Sequence, residues 1–162
     1  MVKQLLLTIM TLLVFLEPAN AAHALEGLVK FPGKNNATVF LEVAATNEAK
    51  SKGLMNKSSM PSNRGMVFVF RPARTVTFWM KDTLISLDMI FINKGNIVKI
   101  VHDAVPNQTN ILYPSENDVT EVIEVNGGFA DAHSIKIGDF VVFENIADID
   151  YSKKSELMIV VK

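Results

Sequence analysis

The sequence predicts a small, mainly β domain of the α+β class, built as a compact, barrel-like antiparallel sheet with one short helix. Three observations point there. Apolar or alternating runs of four to eight residues recur from Ala37 to Phe143, which is strand length rather than helix length. Turn residues separate them, as in Asn93-Lys94-Gly95-Asn96 and Asn126-Gly127-Gly128. Only the stretch from Thr46 to Gly53 carries both a start and a stop signal for a helix.

Taken in order, residues 22–36 read as an N-terminal loop, with Pro32-Gly33 and Asn35-Asn36 as turn residues. Ala37 to Ala44 is the first strand, and a single β-rich domain is expected over residues 37–145. Thr46 caps a two-turn helix with Glu48 in its first turn, Lys50 and Lys52 near its end and Gly53 at C′. Gly65 to Phe70 is a strand that Arg71-Pro72 should end. Thr75 to Lys81 alternates, with Val76, Phe78 and Met80 on one side and Thr77, Trp79 and Lys81 on the other. Leu87 to Ile92 and Ile97 to Val101 flank a hairpin turn with Gly95 at a positive-φ position. Val105 to Asp118, with Pro106 and Pro114, is too polar and broken for a strand; a loop of that length is functional or mobile. Val119 to Val125 is a strand, Phe129 to His133 a helical turn, and Phe140 to Phe143 a strand entered through the Gly138-Asp139 turn. Residues 146–162 form a C-terminal extension with an extra strand at Glu156 to Val161.

The ends and the composition bound the function. Lys3, the apolar run Leu5 to Leu16, and Ala19 and Ala21 at the −3 and −1 positions make residues 1–21 a signal peptide. A membrane span would need about 20 apolar residues. The mature chain of about 140 residues is one domain, large enough to bury a core, and is expected to be periplasmic or secreted and monomeric. It has no cysteine, which removes disulfides, thiol nucleophiles and zinc-thiolate sites. With 16 Lys+Arg against 17 Asp+Glu and no visible basic cluster, nucleic acid is not an expected partner. No internal repeat, low-complexity segment or Gly-rich phosphate loop is present, and no cofactor is expected.

The order of motifs is distinctive: Lys52-Gly53-Leu54-Met55, Pro61, Gly65-Met66-Val67-Phe68-Val69-Phe70, Phe78-Trp79-Met80-Lys81-Asp82-Thr83, Leu87-Asp88-Met89-Ile90-Phe91-Ile92, Asn126-Gly127-Gly128 and Ile135-Lys136-Ile137-Gly138-Asp139. From about Thr38 to Phe143 this resembles the domain-of-unknown-function 192 family. The resemblance implies a small, often exported bacterial or archaeal domain with a compact β-rich fold, and it implies no established activity.

Candidate chemistry concentrates between Trp79 and Asp88. Asp88 sits in an apolar run, where a lone ionised carboxylate costs several kcal/mol, so it needs partners. Lys81, across the Asp82 to Ser86 turn, is the expected one, with the hydroxyls of Thr83 and Ser86 completing a network. Two readings follow. In the structural one, Asp88 caps backbone and Lys81 shields it. In the functional one, Trp79, Lys81, Asp82, Thr83 and Asp88 form a polar pocket in which Lys81 anchors an anion of a small ligand or protein partner. Trp79 is either part of that pocket or a cover for the barrel end. A second constellation, Met55, Met60, Met66, Met80 and Met89 with His102 or His133, suits Cu(I), although strand methionines ordinarily fill core gaps. A hydrolase using Asp82 and Asp88 as paired carboxylates is the third alternative. The three histidines lack metal-ligand spacing and no nucleophile elbow exists, so non-catalytic binding is the favoured reading.

Overall fold

The computed structural model describes residues 27–146; the signal peptide expected at residues 1–21 and the strand expected at Glu156 to Val161 lie outside the described residues. The elements are β1 (Gly27–Phe31), β2 (Ala37–Ala44), α1 (Asn47–Lys52), β3 (Arg64–Arg74), β4 (Thr77–Phe78), β5 (Leu87–Asn93), β6 (Asn96–Ala104), β7 (Tyr113–Pro114), β8 (Val119–Asn126), α2 (Phe129–Ala132) and β9 (Val142–Glu144). Seven strands form one sheet in the order β6-β5-β8-β3-β2-β1-β9, and β4 with β7 makes a separate two-residue ribbon. Every pair is antiparallel except β2 with β3, which run parallel because α1 carries the chain from one end of the sheet back to the other.

The two edge strands meet at one corner. Asn96, at the start of β6, bridges Phe140; Ile97 N–H donates to the Asp139 carbonyl at 2.9 Å and Val141 N–H to that of Gly95 at 2.8 Å. Gly95 is required there twice over: its φ is +83°, and a Cβ would stand 2.6 Å from the Phe140 ring. The sheet therefore curls into a half-barrel, and its two faces bury separate cores. The concave face holds Val29, Phe31, Val39, Leu41, Val67, Ile90, Ile97, Ile123 and Phe143, drawn from both edges and the centre. The convex face of β3, β8 and β5 carries Met66, Phe68, Met89, Phe91 and Val122, and it is covered by Leu54, Met80, Phe78 and Tyr113 from the connecting segments.

Several expectations change. Residues 27–31 form strand β1 rather than loop: Val29 and Phe31 alternate inward opposite β2, a pattern hidden among the turn residues that follow it. β3 does not end at Arg71-Pro72. It runs to Arg74 through a register shift against β8 between Val69 and Arg74, because an irregularity accommodates a residue that cannot donate to the ladder. The alternation of residues 75–81 is real in burial, yet only Thr77 and Phe78 are paired, and their partners, Tyr113 and Pro114, lie inside the segment expected to be loop. α1 is capped as its sequence dictates: Thr46 Oγ1 accepts from Ala49 N–H at 3.1 Å, and Gly53 turns the chain away with φ +48°.

Candidate functional site

Three buried acids lie on the central strands β5 and β8, and their surroundings differ. Asp88 is 0% exposed on the concave face of β5. Its Oδ1 accepts from Asp103 N–H at 2.9 Å and Gly128 N–H at 3.1 Å, and its Oδ2 accepts from Ala130 N–H at 2.8 Å. The carboxylate thus joins β6 to the Gly127-Gly128 turn and caps α2, whose own N-cap, Gly128, has no side chain to offer. Glu121 faces the concave side of β8 and is held by Arg71 Nη2 at 2.6 Å and by the Thr120 hydroxyl at 2.6 Å.

Glu124 is the exception. It sits on the convex face of β8, between Met66 of β3 and Met89 of β5 in register, and is 5% exposed. Among the described residues none forms a hydrogen bond or ion pair with it. Burial alone pushes its carboxyl up to about 8, so the protonated form predominates at neutral pH. Above it lies the chain just after α1: a Cβ on Gly53 would stand 4.0 Å from Glu124 Oε2. Sequence reasoning took β8 as an ordinary strand. The available signal was Glu121-Val122-Ile123-Glu124, where two carboxylates three apart on a strand must face opposite sides, both against apolar neighbours.

The Trp79 to Thr83 turn closes the same convex core. Met80 is buried, Thr83 is buried with its hydroxyl donating to the Lys81 carbonyl at 3.1 Å, and Asp82 is exposed with φ +52°. The turn is pinned from both sides. Asn56 N–H donates to the Asp82 carbonyl at 2.7 Å, Asn107 N–H to that of Thr83 at 2.9 Å and Met80 N–H to that of Gln108 at 3.3 Å. Trp79 is 46% exposed, and the Lys81 ammonium lies 5.4 Å from its ring centroid.

The expected pairing of Lys81 with Asp88 does not form. Asp88 faces the concave core and is satisfied by three amides, while Lys81 is exposed over Trp79. The five sequence candidates therefore separate into an exposed group, Trp79, Lys81 and Asp82, with Thr83 beneath it, and a structural clamp at Asp88. Paired-carboxylate chemistry between Asp82 and Asp88 has no geometry to support it, since the oxygens of Asp88 are occupied. Histidines do not join the methionines either: His102 Nδ1 is 3.3 Å from Asp131, and His133 packs on Phe129 with centroids 4.2 Å apart. Among the described residues no group of three His, Asp or Glu side chains could hold a metal, and no helix is long and apolar enough to cross a membrane.

Similar solved structures carry the same fold. A protein of unknown function from Novosphingobium aromaticivorans is 32% identical, with a TM-score of 0.68 over 72% of this chain and 83% of its own. A protein from Sinorhizobium meliloti, provisionally described as a transcription regulator, is 30% identical, with a TM-score of 0.69 over 75% of this chain and 95% of its own. Comparison with curated proteins finds no match. The model of the DUF192 family, described as "Uncharacterized ACR, COG1430", matches residues 29–143, from the middle of β1 into β9, and the chain belongs to that family.

Proposed function

We propose that the chain is exported and that its mature domain is a non-catalytic binding module, taking a small ligand or partner at the Trp79 to Thr83 turn. The observation that carries this is a half-exposed indole with an ammonium over its face, on a turn fixed by three backbone hydrogen bonds from two other segments. An aromatic held rigid in water gives contact area without an ordering cost when something docks on it. Leu84, Val105, Ile111 and Leu112 are also exposed, on the segments that follow Thr83 and flank Asn107 and Gln108 in sequence. The chemistry favours a ligand with an apolar face and an anionic group, the face for Trp79 and the charge for Lys81. Export rests on the Lys3, Leu5 to Leu16 and Ala19-Asn20-Ala21 pattern.

The test is native mass spectrometry of the protein recovered from its source. The reading expects an amino terminus at residue 22 and a bound mass that Trp79→Ala and Lys81→Met each remove, with melting temperatures within about 1 °C of the parent, as for exposed substitutions. A bound mass indifferent to both substitutions would end it.

A further inference from the structure

The row of side chains that crosses the convex face through the middle of the sheet is Met66, Glu124, Met89, one from each of three adjacent strands. Directly opposed residues on neighbouring strands hold their Cβ atoms about 5 Å apart, so two thioethers flank one carboxyl on a single face. We propose that this row is a binding site for one soft monovalent cation of the Cu(I) or Ag(I) class, with Glu124 as the anionic ligand and the sulfurs of Met66 and Met89 as the neutral ones.

Two arguments support it independently of the Trp79 turn. Glu124 is a buried acid that no described residue satisfies, whereas Asp88 and Glu121, equally buried, are fully engaged by protein groups. The groups beside it select the class of cation. Thioethers are weak hydrogen-bond acceptors, so an ammonium or guanidinium would gain one good partner and lose its remaining hydration, while a soft metal ion is matched by both sulfurs.

The cover over this row is the segment after α1, where a Cβ on Gly53 would lie 4.0 Å from Glu124 Oε2, and α1 itself buries none of its residues. Met55 and Met60, both partly exposed, lie on that segment, and the Met60 carbonyl accepts from Asn126 Nδ2 at 3.0 Å, two residues along β8 from Glu124. The expected Cu(I) constellation is thereby changed in membership: the carboxyl of Glu124 takes the place foreseen for an imidazole.

Silver(I) is the probe, because it needs no reductant. In chloride-free buffer the protein is expected to retain one Ag(I) per chain at micromolar concentration, and Glu124→Gln and the double variant Met66→Leu/Met89→Leu should each weaken uptake at least tenfold. Leucine keeps core volume, so folding should survive. Methyl-labelled methionine NMR on the unaltered protein gives a second readout in which Met66 and Met89 shift on titration and Met80 does not. No retained Ag(I), or uptake unchanged in both variants and lost instead with Met55→Leu/Met60→Leu or with substitution of His102, would overturn the proposal.

Discussion

Asp88 and Glu124 are near neighbours that solve the same problem in opposite ways. Met89 pairs with Glu124 and Asp88 with Val125, so the two acids stand one step apart on adjacent strands, on opposite faces of one sheet. On the concave side three backbone amides converge on Asp88 because a turn and a short helix end there. On the convex side no described residue converges on Glu124, and its protonated form predominates at neutral pH in an apolar surround. Depth in the core therefore says little about role. The supply of donors separates a clamp from a group kept in reserve, since a satisfied carboxylate has no capacity left for a ligand.

The largest expected effect comes from removing the clamp. Asp88→Ala leaves the amides of Asp103, Gly128 and Ala130 unpaired inside the protein and should cost about 3–5 kcal/mol in urea unfolding, with hydrogen exchange rising first at Ala130. A loss under about 1 kcal/mol would mean that the amides find water and that the two faces differ less than their geometry implies.

Glu124 should behave inversely. Below pH 4.5 its carboxyl is protonated in both the folded and the unfolded chain and adds nothing; between 4.5 and about 8 only the unfolded chain releases the proton, so stability falls as pH rises, and above about 8 the full penalty is present. Glu124→Gln should remove this slope. Thermal melts at pH 5 and pH 8 should show the variant gaining on the order of 3 kcal/mol relative to the parent between those values. Equal slopes would place a hidden partner beside Glu124. Between the extremes lies Glu121: Arg71→Met strips one of its two partners, and since Arg71 is partly exposed the expected loss is only about 1–2 kcal/mol.

The fold was more legible in the sequence than the site, for a physical reason. The β5-β6 hairpin is written in local chemistry, with Lys94 and Gly95 both at positive φ, and so is the Thr46 cap. Such features depend on residues a few positions apart. Strand β1 was missed because its evidence is five residues whose meaning comes from pairing with β2 and with β9, more than a hundred residues away. The same limit applies to the acids. Asp88 was rightly identified as a buried group in need of partners, but its donors come from Asp103, Gly128 and Ala130, and backbone amides leave no mark in a sequence. Lys81 was the nearest cation along the chain and therefore the natural candidate; the twist of the turn sends it over Trp79 instead. Glu124 differs from Glu121 only in what the fold brings to it.

The smallest effect probes the cover over Glu124. Thr46→Ala removes the hydroxyl that accepts from Ala49 N–H and should cost about 1 kcal/mol, concentrated in a six-residue helix with no buried residue to hold it otherwise. The informative readout is its coupling to Glu124, because Gly53 N–H donates to the Ala49 carbonyl at 2.9 Å and so ties the segment above the carboxyl to the helix end. If α1 frays, water reaches Glu124, its ionised form becomes cheaper, and the decline of stability between pH 5 and pH 8 should shrink together with the loss of helix. Hydrogen exchange faster at Gly53 with an unchanged pH slope would show that the strands alone, through Met66 and Met89, keep Glu124 dry. The unpartnered state would then be a property of the sheet, and the helix would be no more than its roof.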